Sequence, residues 1–353
     1  MNPSDFVRPR VKQLSAYHVD PIPADVVLDA NESSYPLPQK LHERLVVLMA
    51  GTELNRYPDP DSTYLKRAIA KKEGARETEI LLGNGSDEVI QTLISAVCDP
   101  GDKILTMSPT FSMYKQIATY LNVETVEVPL NEKWDIDYHE VLGAIDEHEP
   151  KIIFIATPNN PTGGNMHRDS MAAIMNFADG LVVIDEAYVD YSDKTAALLY
   201  QERPNVAVLK TLSKVGMAAI RLGYMMADER LIEEVNKTRL PYNINSLTQA
   251  VATELLKNWD QLKPMFDATK KERRRVMTAL YSVKKITPNH SDANFIFFKL
   301  DGNPEEFFNF LLDNGVRIRW FNGNKGLENC FRVTIGRPAE NDRFLSALEK
   351  LPQ

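Results

Sequence analysis

Between residues 80 and 210, short and nearly unbroken apolar runs alternate with longer stretches whose apolar positions recur every three or four residues. The runs near 80–82, 103–107, 123–128, 151–156, 181–184 and 206–210 predict strands. The stretches between them predict helices near 86–97, 112–121, 139–148 and 168–177, because they follow the 3.6-residue period. A strand that is apolar at successive positions is covered on both faces. Strands of that kind, alternating with helices, predict an α/β fold built on a parallel sheet. Upstream lie a polar, proline-containing arm with the strand-like Val26-Val27-Leu28, and helices near 39–49 and 62–73. The turn before the helix at 86–97 offers Ser86 as its N-cap. An apolar segment, 217–224, follows the last run.

Beyond Ala227 the pattern changes. Helices near 228–236, 246–258 and 261–282 lead into a smaller α+β unit. That unit has strands near 293–300, 316–320 and 330–335 and helices near 304–314 and 340–351. The expected organisation is an arm over 1–35, a large domain over 36–245, and bridging helices with a small C-terminal domain over 246–353.

In open parallel sheets the site lies beyond the carboxyl ends of the strands. Phe111, Asn160, Asp185, Tyr188 and Lys214 all fall just after predicted strand ends. Lys214 closes the stretch Val208-Leu209-Lys210-Thr211-Leu212-Ser213-Lys214. Most lysines are simply solvated, but one at the end of a core strand can act as an amine nucleophile. The hydroxyls of Thr211 and Ser213 beside it, and Arg221 beyond it, suit a cofactor with an aldehyde and a phosphate, pyridoxal 5'-phosphate (PLP). Asp185 suits the ring nitrogen, although an N-cap after a strand is the bland alternative. Asn160 and Tyr188 suit the phenolic oxygen. Phe111 suits the ring face, and core packing explains it equally well at this stage. The phosphate cup expected is the backbone at Ser86 and Asp87 with Thr211, Ser213 and Arg221, since helix N-termini bind anions.

Bulk properties narrow the partners. A net charge of -8 over 353 residues argues against nucleic acid as a partner. Cys98 and Cys330 are far apart with no metal-ligand spacing, so free thiols in a reducing compartment are expected and no metal is. The sequence has no apolar run of about 20 residues that would span a membrane, and the expected location is the cytoplasm.

The runs Asn159-Asn160-Pro161-Thr162-Gly163, Asp185-Glu186-Ala187-Tyr188 and Thr211-Leu212-Ser213-Lys214 resemble the class I and II aminotransferases of PLP fold type I. The stretches Leu28-Asp29-Ala30-Asn31-Glu32, Asn55-Arg56-Tyr57-Pro58-Asp59, Leu240-Pro241-Tyr242-Asn243-Ile244-Asn245 and Phe331-Arg332-Val333-Thr334-Ile335-Gly336 are similar to the histidinol-phosphate branch of that family. The resemblance covers essentially the whole chain. It implies a large domain with a mostly parallel seven-stranded sheet and a smaller α+β domain. It implies a transaminase acting on histidinol phosphate and 2-oxoglutarate or glutamate, and a homodimer in which Tyr57 reaches the partner's cofactor. By the same resemblance Lys214 carries the cofactor and moves the proton. Arg332, Arg319, Tyr17 and Asn31 meet the substrate. Three departures stand out. Phe111 occupies a position where tyrosine is frequent, Trp320 replaces an acidic residue, and the Lys214-to-Arg221 spacing is one residue shorter than in the family. A PLP-dependent decarboxylase of threonine phosphate, an aromatic transaminase of the same fold and a non-enzymatic α/β binding domain stay open.

Overall fold

The computed structural model describes residues 2–16 and 22–351. Two sheets organise them. The larger uses β2 (Ile80–Asn84), β3 (Lys103–Ser108), β4 (Glu124–Pro129), β5 (Ile152–Ala156), β6 (Leu181–Asp185), β7 (Val206–Thr211) and β8 (Leu222–Met226). Its seven strands run in the order β2-β8-β7-β6-β5-β3-β4. β4, β3, β5, β6 and β7 are mutually parallel, while β8 is antiparallel to both β2 and β7. The apolar segment 217–224 thus supplies part of a strand that its pattern does not announce. The turn into β8 depends on Arg221, whose φ of 51° reverses the chain sharply.

Side chains alternate across this sheet with the strand period of two. Ile153, Ile155, Val182, Ile184, Val206 and Val208 enter one core. Ile152, Phe154, Val183, Ala207 and Leu209 enter the other, under helix Gly85–Val97 and helix Met113–Leu121. That two-sided burial is why the strands read as continuous apolar runs.

The smaller sheet uses β1 (Val26–Leu28), β9 (Ile286–Pro288), β10 (Phe295–Leu300), β11 (Val316–Trp320) and β12 (Cys330–Thr334), in the order β1-β11-β12-β10-β9. β1 pairs in parallel with β11, so the N-terminal strand is sewn into the sheet built by the C-terminal residues. One face of this sheet packs Ile296, Phe298, Ile318, Phe331 and Val333 against Leu280, Phe307 and Phe344 of its helices. The other face turns toward the larger sheet and carries Arg319, Arg332 and Thr334.

Helix Gly85–Val97 begins one residue before Ser86, with Asn84 rather than Ser86 at the N-cap position. Gly85 takes a φ of +76°, which favours glycine, and a Cβ there would sit 2.6 Å from an Arg221 nitrogen. A Cβ on Gly223 of β8 would lie 2.3 Å from the Ser86 amide nitrogen. Gly223 therefore lets β8 touch the strand-to-helix turn backbone to backbone, and Gly85 makes room for the Arg221 guanidinium. Cys98 and Cys330 are free thiols, Cys330 buried and Cys98 half-buried. No described helix is long and apolar enough to cross a membrane.

Candidate active site

Beyond the carboxyl ends of β5, β6 and β7 the structure brings together Asn160, Asp185, Tyr188 and Lys214. Asp185 is the last residue of β6 and is buried. Its Oδ2 accepts a hydrogen bond from the Tyr114 hydroxyl at 2.5 Å and its Oδ1 accepts one from the Ala187 N–H at 3.0 Å. Among the described residues no lysine, arginine or histidine pairs with it. Burial pushes its carboxyl up to about 6, against those two hydrogen bonds. Burial, and then the Asp185 carboxylate itself, also push the Tyr114 hydroxyl well above its ordinary range, so it stays a donor. Tyr114 stacks on Phe154 at 4.5 Å between ring centres and meets Phe111 edge-on at 5.6 Å.

Lys214 follows β7 in a tight five-residue turn, Ser213–Met217. Its own carbonyl is fixed by the Tyr191 hydroxyl, which donates to it at 2.7 Å. Its Nζ lies 3.5 Å from the Ala30 carbonyl oxygen and 5.9 Å from the centre of the Tyr188 ring. The Tyr188 hydroxyl accepts from Asn31 Nδ2 at 3.0 Å. Asn31 is itself tied to the small sheet: its N–H donates to Thr334 Oγ1 at 3.0 Å and its carbonyl accepts from Asn294 Nδ2 at 2.9 Å.

A second cluster sits at the start of helix Gly85–Val97. Thr211 Oγ1 lies 3.0 Å from Ser213 Oγ, and the Ser213 N–H donates to Thr211 Oγ1 at 3.1 Å. Arg221 extends one guanidinium nitrogen to 3.5 Å from Ser213 Oγ and the other to 3.3 Å from Asp87. Arg221 thus joins Ser86, Asp87, Thr211 and Ser213 despite its short spacing from Lys214. The left-handed turn at Arg221 brings the side chain back. Two hydroxyls, a guanidinium and the unsatisfied amides of a helix start make an anion cradle.

The third group comes from the small sheet. Arg332 on β12 donates to Asn160 Oδ1 at 2.5 Å and to the Asp29 carbonyl at 2.6 Å. Arg319 is its register partner on β11, so the two side chains share a face. Each guanidinium carbon lies 5.9 Å from the Phe321 ring centre. Arg319 is exposed and Arg332 buried. Trp320 points to the opposite face, stacked 6.0 Å from Phe331. Tyr57 is apart from all three groups. It is 80 % exposed and stacks on Tyr242 at 4.6 Å. Tyr17 lies outside the described residues.

A family model described as aminotransferase class I and II matches residues 23–348. The chain belongs to the aminotransferase class I and II family. It is 39 % identical to a protein of Chromobacterium violaceum called histidinol-phosphate aminotransferase, over 98 % of this chain and 97 % of that protein. Among solved structures, this aminotransferase superposes with a TM-score of 0.87 on the histidinol-phosphate aminotransferase of Sinorhizobium meliloti in complex with pyridoxal-5'-phosphate. That match has 23 % identity and covers 97 % of this chain and 96 % of the other. It superposes with a TM-score of 0.80 on L-threonine-O-3-phosphate decarboxylase of Porphyromonas gingivalis, at 24 % identity over 92 % and 98 % of the two chains. The aminotransferase fold is thus shared by proteins with different reactions, and the side chains have to choose between them.

Two members of the site are not singled out by the sequence reasoning. Tyr114 was legible only as an apolar position in the first turn of a helix, yet it donates to Asp185 from 71 residues away. Asn294 fixes Asn31 across 263 residues. Neither has a local signal, because each role exists only once the chain is folded.

Proposed function

We propose that the chain is a PLP-dependent transaminase that moves the amine of L-histidinol phosphate to 2-oxoglutarate, giving imidazole-acetol phosphate and L-glutamate, in L-histidine biosynthesis. The observation that carries this reading is the near-full-length similarity, at 39 % identity, to a protein with that name. The residues present fit the cofactor. Asp185 is a buried carboxylate with no cation among the described residues, and a protonated ring nitrogen supplies one. Bound PLP contributes an aldehyde that joins the amine and a ring that withdraws electrons from the carbon losing its proton.

The remaining work falls to this chain. Lys214 supplies the amine that holds the cofactor and moves the proton at the substrate carbon. Asp185 keeps the ring nitrogen charged, with Tyr114 orienting the carboxylate. Asn160 and Tyr188 serve the phenolic oxygen, and Phe111 packs on the ring. Ser86, Asp87, Thr211, Ser213 and Arg221 hold the phosphate. Arg332, with Arg319, Asn31 and Tyr17, receives the substrate's phosphate in one half-reaction and a carboxylate of glutamate in the other.

The reading includes a homodimer in which Tyr57 reaches the partner's cofactor. The exposed aromatic side chains of Tyr57 and Tyr64, which line one surface pocket with Leu48 and Leu65, support it, since exposed apolar patches mark interfaces. It also includes a cytoplasmic location, where Cys98 and Cys330 stay reduced.

An amino-donor panel with 2-oxoglutarate tests the substrate: histidinol phosphate, histidinol, phenylalanine, tyrosine and threonine phosphate. Histidinol phosphate is expected to be the best donor, with glutamate formed. Carbon dioxide release from threonine phosphate, or a preference for phenylalanine or tyrosine, replaces the reading with the decarboxylase or the aromatic transaminase.

A further inference from the structure

Helix Gly85–Val97 has an asparagine at its N-cap that does not cap it. An N-cap asparagine ordinarily turns its side chain onto the amides of the first helical turn. Asn84 makes no such bond. Its Nδ2 instead donates to Glu88 Oε2 at 3.0 Å and to the Asn243 carbonyl at 2.7 Å, and its N–H also donates to Glu88 Oε2. The same Glu88 oxygen accepts from Asn243 Nδ2 at 3.1 Å, and that Nδ2 also donates to the Leu82 carbonyl at 3.1 Å. Arg239 completes the arrangement. It donates to Asn243 Oδ1 at 2.8 Å and to the Pro60 carbonyl at 3.3 Å, so it reaches the loop that carries Tyr57.

Two consequences follow from this geometry. The amides of Ser86 and Asp87 are not taken up by the Asn84 side chain. Glu88, an anion in the first helical turn, has its charge spread over three N–H donors rather than aimed at the cradle. We propose that Glu88 and Asn243 are positioning residues for the cofactor phosphate: together they turn Asn84 away from the helix start and keep the Ser86 and Asp87 amides for the ligand. The inference rests on the cofactor reading above and adds residues that touch neither cofactor nor substrate. Without Glu88, Asn84 keeps only the Asn243 carbonyl as a partner away from the helix, and its side chain can turn onto its own helix and compete with the phosphate.

That competition gives the arrangement a signature that a merely structural contact lacks. Losing a scaffold contact lowers cofactor affinity and stability together. Releasing a cap lowers cofactor affinity while the new cap compensates the cofactor-free protein. Apo-protein is titrated with PLP, following the absorbance of the lysine-bound cofactor, and its melting temperature is read without PLP. Glu88→Ala is expected to bind PLP about tenfold more weakly, about 1.4 kcal/mol, with the apo melting temperature close to the parent's. Glu88→Gln, which keeps an oxygen facing Asn84, is expected to retain most of the affinity. Asn84→Gly placed in the Glu88→Ala protein removes the competitor and is expected to recover much of the loss. Parental PLP affinity in folded Glu88→Ala overturns the inference. So does a loss that Gln does not rescue and Asn84→Gly deepens. Should Glu88→Ala not fold, Asn84→Asp decides, because its carboxylate cannot donate to Glu88 or to the Asn243 carbonyl and is left to cap the helix: weaker PLP binding with an undiminished apo melting temperature supports the proposal and parental binding overturns it. A parent protein that takes up no PLP overturns the cofactor reading and this inference with it, whereas undiminished binding in the variants overturns this inference alone.

Discussion

At the ends of β6 and β7 the two faces of the larger sheet treat buried charge in opposite ways. Asp185 and Glu186 are neighbours that point to opposite faces, as do Thr211 and Lys210. On the face away from the cradle, Lys210 lies 2.7 Å from Glu73 and 3.4 Å from Glu186. Lys72 lies 2.5 Å from Glu73 and over the Trp259 ring, and the Tyr224 hydroxyl donates to Glu73 at 2.8 Å. Two lysines face two glutamates there, with the Asp190 carboxyl close enough to feel both lysines. Burial alone would push Glu73 up, but Lys210 and Lys72 hold its carboxyl at about 2. Burial keeps Glu186, the more distant partner, above its ordinary range. A cavity of about 780 Å³ borders this cluster, on the face opposite Asp185. On the Asp185 face the only partners among the described residues are a hydroxyl and an amide, and the carboxyl rises to about 6. Where charge serves the fold, the chain supplies both signs. At Asp185 the negative sign stands without a cation among the described residues, which suits the proposed cofactor.

The largest expected effect falls on the open face. Lys214→Ala leaves the core intact and removes the group proposed to move the proton. Such groups are commonly worth about 10²–10⁴-fold, so turnover should fall by at least about 10²-fold with a melting temperature near the parent's. Near-normal turnover takes Lys214 out of the chemistry.

Lys210→Met should show the reverse phenotype. It leaves Glu73 and Glu186 buried without their lysine, and breaking a buried pair from one side costs about 3–5 kcal/mol. Denaturant unfolding should register that loss, while turnover per bound cofactor stays close to parental. If stability holds and turnover collapses, the closed cluster belongs to the reaction and the contrast between the faces fails.

Asp185 sharpens the contrast through pH. Its carboxyl stands at about 6 in the folded chain against an ordinary 3.8. Between those values the native state holds a proton that the unfolded state has lost. Cofactor-free stability attributable to this group is therefore present below about pH 4, falls as pH rises through about 6, and is flat above. The gap of roughly two units corresponds to an effect on the order of 3 kcal/mol. Asp185→Asn should gain stability relative to the parent across that window while losing activity by orders of magnitude. Parallel stability profiles for the two apo-proteins would show that Asp185 is not charged against burial.

The smallest effect expected is at the small sheet. Arg319→Ala should lower kcat/KM for histidinol phosphate by about tenfold, since a charge-assisted hydrogen bond is worth roughly 1.5–3 kcal/mol and each 1.36 kcal/mol is tenfold. Histidinol, lacking the phosphate, should lose much less. Equal losses would remove Arg319 from phosphate recognition and leave Arg332 to select alone.

Much of this was readable one residue at a time. The continuous apolar runs announced β2, β3, β5, β6 and β7, because strands covered on both faces have no polar side to hide, while the edge strand β4 showed instead an alternation of Val with Glu and Thr. Lys214, Asp185 and Asn160 were readable because each stands just past such a run, and in a parallel sheet every strand end of one sense lies on one edge. Strand β8 was not readable. It follows the left-handed turn at Arg221 and runs antiparallel, so the alternation of strand and helix that marks its neighbours skips it. The start of helix Gly85–Val97 was misread by one residue because Ser86 is a good cap by type, while Gly85 adopts a helix-initiating turn that only its fit against Arg221 and β8 demands.

The sequence by itself determined which residue types stand at strand ends, and hence the chemistry on offer, because backbone propensity and hydrophobic period act over a few residues. Tertiary structure alone decided how the charges are shared. Tyr114 reaches Asp185 over 71 residues, Glu73 reaches Lys210 over 137, and Asn243 reaches Glu88 over 155. A buried carboxylate reads the same in the sequence whether it finds a lysine, a hydroxyl or nothing. Its desolvation and its partners come into being only when distant segments close around it, and that closure separates Asp185 from Glu73.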